Sequence, residues 1–176
     1  MSRKYLNDKY CVRCGRKTPC PYLKNNYDKM MKDMIFRLPL RPPLQCKVLD
    51  VGCGNGRNSQ FMKERGHDVT SLDMVNDYGI KCMLGKDKMP VKDNSIEIIL
   101  SNYSMMFLDD KERNNVIKDI KRVAKKNCII MLELYPAKDC YAKTEKDMLK
   151  MQKDIFDKLG WKKIKYSKGR FIAIKE

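Results

Sequence analysis

Apolar and polar residues follow two repeating patterns along this chain. Short apolar runs, typical of buried strands, lie at residues 47–51, 68–73, 79–84, 95–101, 128–134, 161–166 and 170–174. Segments suited to helices, most of them with apolar residues at intervals of three and four, lie at residues 26–38, 57–65, 109–125 and 144–159. The alternation of strands and helices predicts an α/β fold with a mostly parallel sheet, and the last two strands predict a closing hairpin.

A glycine-rich turn joins the first predicted strand to the helix that follows it. The strand contains Asp50, and Gly52, Gly54 and Gly56 lie in the turn. Glycine permits positive φ and lets a ligand approach the backbone closely, while the start of a helix offers unpaired N–H groups. The second strand ends at Asp73, about twenty residues further on, where a ribose diol needs an acceptor. This segment therefore predicts a nucleotide-type cofactor site, although its third glycine comes one residue too early for the dinucleotide fingerprint.

These residues resemble the first motif of the class I S-adenosylmethionine-dependent methyltransferases, and more closely the tellurite-resistance (TehB-type) group. The similar segments are residues 52–59, 66–70 and 99–108. The resemblance implies a Rossmann-like sheet of seven strands, S-adenosylmethionine as the cofactor and S-adenosylhomocysteine as the product. It implies these cofactor-binding residues: Asp50, Gly52, Cys53, Gly54, Asn55, Gly56, Asn58, Asp73, Met74, Asp87, Lys88, Met89 and Ser101.

The chain departs from the family pattern after the second predicted strand. Only residues 74–78 separate Asp73 from the third predicted strand, whereas a parallel crossover usually needs about a dozen residues. We therefore expect the usual second helix to be shortened to a loop or a single turn. Family members commonly carry an acidic residue that holds the adenine amino group, but Gly85 stands at the matching position, with Asp87 as the nearest substitute. Without the second helix and the acidic residue, the protein has an alternative interpretation as a non-catalytic module that retains the fold.

The residues after the fourth predicted strand are candidates for catalysis. Asn102 and Tyr103 lie at the sheet edge where open α/β folds bind ligands, facing the transferable methyl group. The segment has no Asn-Pro-Pro-Tyr or Asp-Pro-Pro-Tyr tetrapeptide, which argues against methylation of amino groups in DNA. His67, the only histidine, lies at a helix-to-strand turn, where we expect a structural role because general-base catalysis requires partners.

The absence of an obligatory base favours an acceptor that is already nucleophilic. The lone pair of such an acceptor attacks the sulfonium methyl group in line, so the protein mainly aligns the reactants and excludes water. The TehB-like resemblance implies a small soft anion, such as an oxyanion of selenium or tellurium, and a cationic cleft attracts such anions.

Charge divides the 176 residues into two parts. The chain has 38 basic and 22 acidic residues, a net charge of +16, and residues 1–46 hold 11 of the basic residues and only three of the acidic ones. We expect this basic segment, with its amphipathic helix, to cap the cleft of a methyltransferase domain at residues 47–176. The charge also supports two alternatives, an RNA or other polyanion methyltransferase and a nucleic-acid-binding or regulatory module without turnover.

Seven of the eight cysteines fall into two groups. Cys11, Cys14 and Cys20 form a knuckle-like C-x-x-C-G pattern with a third thiol, and their hypothetical role is zinc binding, with free thiols as the alternative. Four others lie in or beside apolar segments and are expected to be buried thiols: Cys46, Cys53, Cys82 and Cys128.

Hydropathy favours a cytoplasmic location without a membrane partner. No apolar run approaches the ~18 residues that a membrane span needs, and the N-terminus has no signal-peptide core.

Overall fold

Seven strands form one sheet at the centre of the protein, in a computed structural model that describes residues 18–37, 45–75 and 77–176. The strands are β1 (Lys47–Val51), β2 (Asp68–Asp73), β3 (Ile80–Lys81), β4 (Ile96–Asn102), β5 (Ala124–Glu133), β6 (Lys162–Ser167) and β7 (Arg170–Ile174). Their order across the sheet is β3-β2-β1-β4-β5-β7-β6. Neighbouring strands are parallel from β3 to β5, and β7 is antiparallel to both β5 and β6. The predicted α/β fold with seven strands and a closing hairpin is confirmed.

In the described ranges of the chain, four α-helices cover the sheet. They are α1 (Pro21–Arg37), α2 (Arg57–Lys63), α3 (Asp110–Val123) and α4 (Glu145–Leu159), and a short 3-10 helix spans Met105–Phe107. Capping boxes at Asp109 and Thr144 start α3 and α4, because each side chain accepts the N–H group three residues on. In the part of the chain that the structure describes, no helix has the length and apolar character of a membrane span.

The two faces of the sheet carry separate hydrophobic layers. Helices α1 and α2 bury residues such as Leu23 and Met62 against Ile98 and Met131 on one face. Helices α3 and α4 bury their apolar stripes on the other face, together with Met105 and Met106 below the end of β4, as expected. Helix α1 therefore shares a core with the sheet, while the division of the chain at residue 46 stays a prediction.

The connection from β2 to β4 is much shorter than in a regular α/β unit. No described residue between β2 and β3 is helical, and β3 has two residues where the sequence predicted six. Gly79 allows this tight return, since a Cβ there would lie 2.6 Å from the carbonyl oxygen of Ser71. Gly85 has φ +79°, and a Cβ there would lie 2.5 Å from the carbonyl oxygen of Glu112 in α3. An acidic residue at position 85 is therefore sterically excluded by this packing.

Candidate functional site

The glycine-rich turn after β1 is held between β2 and the segment after β4. The backbone N–H groups of Gly52 and Cys53 both donate to the carbonyl oxygen of Leu72, at 2.8 and 2.9 Å. Gly52 has φ +75°, and an added Cβ would lie 2.3 Å from the Cβ of Ser104. By contrast, a Cβ added at Gly54 would meet no atom within 4 Å. The first glycine thus serves packing, and the second faces open space that a ligand can enter.

Asp73 at the end of β2 lies directly beside this open turn. Its Oδ2 accepts the N–H of Gly54 at 2.8 Å, and its Oδ1 accepts the N–H of Val75 at 3.2 Å. Two backbone donors therefore fix the carboxylate, which retains acceptor capacity because each carboxylate oxygen has two lone pairs. The arrangement places an oriented hydrogen-bond acceptor next to the glycine-rich turn.

Asp50 supports the turn from below and does not face the open space. It is fully buried and accepts the hydroxyl of Ser59 at 2.6 Å, while the hydroxyl of Ser71 donates to Ser59 at 2.7 Å. Burial raises the pKa of Asp50 to about 6, and the charge of Asp73 contributes in the same direction. The chain of hydroxyls ties β1, α2 and β2 together beneath the site.

Five side chains with polar groups meet at the end of β4. The Asn102 amide nitrogen lies 3.4 Å from a carboxylate oxygen of Glu133, and its oxygen accepts from Asn58 at 3.3 Å. Cys20, just before α1, donates its thiol to the same Glu133 oxygen at 2.6 Å and its N–H to the Asn58 side chain at 2.8 Å. Arg170 pairs with the other oxygen of Glu133 at 2.9 Å. The segment before α1 is therefore hydrogen-bonded to the predicted catalytic end of the sheet.

Tyr103 adopts a conformation that is uncommon for a bulky residue. Its φ is +61°, and its N–H donates to the carbonyl oxygen of Glu133 at 2.8 Å. Non-glycine residues in the left-handed region cost about 1 to 3 kcal/mol and cluster at functional sites. Burial raises the pKa of the Tyr103 hydroxyl, and the charge of Glu133 acts in the same direction. Tyr103 is therefore a neutral hydroxyl on a strained turn beside Asn102.

Comparison with known proteins shows what the segment around this site is similar to. Residues 49–132, which are 84 of the 176 residues, match the family model described as a methyltransferase domain. A probable S-adenosyl-L-methionine-dependent methyltransferase TehB from Haemophilus influenzae is 35% identical over 89 residues, which cover 43% of this chain and 31% of the relative. The chain thus spans less than a third of the length of this curated relative.

Solved structures show that the described part of the chain has the class I methyltransferase fold. An S-adenosylmethionine-dependent methyltransferase from Aquifex aeolicus has a TM-score of 0.59 at 16% identity, over 85% of this chain and 89% of that one. A TehB-like methyltransferase from Corynebacterium glutamicum has a TM-score of 0.55 at 18% identity, over 88% of this chain and 97% of that one. The resemblance to class I methyltransferases and to the TehB-type group is confirmed.

The structure brings most of the predicted cofactor residues of the methyltransferase domain to the edge between β1, β2 and β4. The residues in this group are Asp50, Gly52, Cys53, Gly54, Asn55, Gly56, Asn58, Asp73, Met74 and Ser101. The loop after β3 carries the others. Asp87 accepts the N–H of Met83 at 2.7 Å and is exposed with Lys88, whereas the side chain of Met89 is buried in the core. The assignment of all these residues to a cofactor stays a prediction.

The predicted metal ligands do not form a site within the described structure. Cys11 and Cys14 lie outside the described residues, and the Cys20 thiol donates to Glu133. Among residues 18–37, 45–75 and 77–176, no group of three His, Cys, Asp or Glu side chains is arranged to hold a metal ion. Zinc binding therefore stays a prediction about the N-terminal segment. The expected burial of the four other cysteines is confirmed.

Sequence reasoning missed several residues that shape the site. Ser59 and Ser71 complete the Asp50 network, and Cys20 and Arg170 hold the Glu133 carboxylate. The hydrophobic pattern gave no signal for the two serines, since each lies in an element that contains several other polar residues. His67 has the expected structural role, because its ring is buried between the hydroxyl of Tyr27 and the N–H of Cys46.

Proposed function

We propose that the protein is an S-adenosylmethionine-dependent methyltransferase that acts on a small anionic acceptor. The observation that carries the cofactor assignment is the Asp73 carboxylate, fixed 2.8 Å from the N–H of Gly54 beside an open turn. A carboxylate at the end of the second strand suits a ribose diol, and the open approach to Gly54 suits a ligand that lies along the backbone.

The residues present fit this cofactor. Asp73 offers an oriented acceptor, and Gly54 borders open space that a side chain would otherwise enter. When bound, S-adenosylmethionine supplies an electrophilic methyl group. Asn102 and Tyr103, at the neighbouring strand end, are then proposed to orient the acceptor, and the buried cluster around Glu133 excludes water from that end of the sheet.

The side chains at the end of β4 favour an acceptor that needs no proton removed. Burial raises the pKa of the Cys20 thiol to about 11 and also raises the pKa of Tyr103, so both groups stay protonated at neutral pH. Asn102 does not ionise, and the Glu133 carboxylate already accepts from Cys20 and pairs with Arg170. An anion with a reactive lone pair, such as selenite or tellurite, requires none of these groups to act as a base.

The test is methyl transfer from labelled S-adenosylmethionine to selenite, to tellurite and to RNA, with release of S-adenosylhomocysteine measured in parallel. The proposal predicts turnover with a small oxyanion that Asp73→Asn abolishes. Turnover with RNA alone, weakened steeply by added salt, would instead identify a polyanion methyltransferase. Binding of S-adenosylmethionine without transfer to any acceptor would favour the non-catalytic module.

A further inference from the structure

A surface depression lies beside the predicted catalytic end of the sheet. Its cavity volume is about 250 Å³, and it is bordered by the start of α1 and by the β6–β7 hairpin. The lining residues that matter here are Tyr22, Asn26, Lys165 and Arg170. No lining residue comes from the glycine-rich turn. The depression is therefore separate from the predicted cofactor site.

The hydroxyl of Tyr22 is the first indication of a ligand. Tyr22 as a whole is only 5% exposed, and its hydroxyl is buried without a hydrogen-bond partner in the described structure. A buried hydroxyl without a partner is unfavourable, because no hydrogen bond compensates for its lost hydration. Burial and the charge of Glu133 raise the pKa of Tyr22 to about 12, so the group stays protonated and can donate. This donor is available for a ligand that replaces the missing partner.

Two cations lie over the same aromatic ring. The Arg170 guanidinium is 5.2 Å and the Lys165 ammonium 5.9 Å from the centre of the Tyr22 ring. The Lys165 ammonium donates to the neutral Asn26 side-chain oxygen at 2.8 Å. Arg170 contacts Glu133 through Nε, yet its side chain is 47% exposed, whereas the Glu133 side chain is 2% exposed. The exposed charge around the depression is therefore positive, with the single carboxylate below it held by its own donors.

We propose that this depression is an oxyanion subsite, in which Tyr22, Lys165 and Arg170 bind a carboxylate or phosphate-like group of the methyl acceptor. This proposal rests on the proposed function. Glu133 links the two places, because it pairs with Arg170 on the side of the depression and with Cys20 and Asn102 at the end of β4. An anionic acceptor held in the depression therefore lies next to the Glu133 cluster that includes Asn102.

The test is an NMR titration of the purified protein with inorganic phosphate and, separately, with acetate, at constant ionic strength. The proposal predicts saturable binding of at least one probe, with shifts around the depression. Tyr22→Phe should weaken that binding about tenfold or more, since a hydrogen bond to a charged group is lost. Lys165→Gln should also weaken it, whereas Lys168→Gln, whose charge pairs with Glu145 outside the depression, should not.

A stability measurement separates ligand binding from a structural role. Without an anion, Tyr22→Phe should melt at the same or a higher temperature than the wild type, because the variant loses an unpartnered hydroxyl. Phosphate or acetate should raise the melting temperature of the wild type more than that of the variant. Equal anion binding by wild type, Tyr22→Phe and Lys165→Gln would overturn the site and leave the proposed function standing. Anion binding in a protein without affinity for S-adenosylhomocysteine would contradict the proposed function and overturn the assignment to an acceptor.

Discussion

Asp50 should make the stability of the protein depend on pH in an unusual direction. Most carboxyl groups have a lowered pKa in the folded state and therefore stabilise the folded protein at neutral pH. Burial instead raises the pKa of Asp50 from 3.8 to about 6. Because the folded state holds this proton more tightly than the unfolded state does, the favourable contribution is fully present below pH 3.8 and is lost as pH rises through about 6. At 1.36 kcal/mol per pH unit, the difference amounts to about 3 kcal/mol.

The perturbation that isolates this contribution is Asp50→Asn, which keeps the shape of the side chain and an oxygen that can accept from Ser59. The amide adds a constant cost of about 1 to 3 kcal/mol if its nitrogen stays without a partner. That constant cost cancels when the unfolding free energies of variant and wild type are compared across pH. We expect the difference in unfolding free energy between variant and wild type to shift by about 2 kcal/mol in favour of the variant between pH 4 and pH 7.5. This is less than the full ~3 kcal/mol because part of the pH dependence lies below pH 4.

The assay is urea unfolding of both proteins at several pH values, with tryptophan fluorescence as the signal. Asp68→Asn is the matched control, because Asp68 is an exposed aspartate at the start of β2, so its replacement removes no buried carboxyl group. A pH-independent difference between Asp50→Asn and the wild type, or a shift in favour of the wild type as pH rises, would refute the assignment of Asp50 as a buried and poorly solvated acid.

Three further predictions concern single positions. Gly52→Ala should destabilise the protein by more than about 3 kcal/mol in urea unfolding, because the new Cβ would lie 2.3 Å from the Cβ of Ser104. Gly85→Asp should lower the melting temperature and should not strengthen cofactor binding measured by calorimetry, because α3 occupies the space. Cys20→Ala should cost about 1 to 3 kcal/mol of unfolding free energy, since the buried Glu133 carboxylate loses a donor.

Gly52→Ala and Cys20→Ala each have a control with a different expected result. Gly54 also has a positive φ, but a Cβ added there meets open space. Gly54→Ala should therefore lower the unfolding free energy by only about 1 to 2 kcal/mol. Cys20→Ser keeps a donor toward Glu133 and should retain most of the stability. Equal losses in Gly52→Ala and Gly54→Ala, or full stability in Cys20→Ala, would contradict the packing described for these sites.

The sheet and the glycine-rich turn were predictable because their signals are local. Apolar runs of five to seven residues form β1, β4 and β7, and a turn with glycines at every second position follows β1. The sequence predicted a strand at residues 79–84, whereas β3 has only two residues. The run at residues 79–84 is apolar enough for a strand, but β3 pairs only with β2, and Cys82 is buried in the core beyond the end of the strand.

The polar cluster at the end of β4 was only partly predictable. Asn102 could be placed because strand ends in parallel sheets bind ligands. The contact of Cys20 with Glu133 joins residues 113 positions apart, and no periodic pattern signals such a pair. The sequence also suggested that Gly85 weakens the cofactor site, whereas the structure accounts for this glycine by the close approach of α3.

Calorimetric titration of S-adenosylhomocysteine into the purified protein tests the central claim most directly. We predict saturable binding that Asp73→Asn weakens about tenfold to a hundredfold, because a charged acceptor beside the Gly54 turn is lost. Asp68→Asn, at the far end of the same strand, should bind like the wild type. Absence of binding by the wild type, or unchanged affinity in Asp73→Asn, would contradict the assignment of this edge of the sheet as the cofactor site.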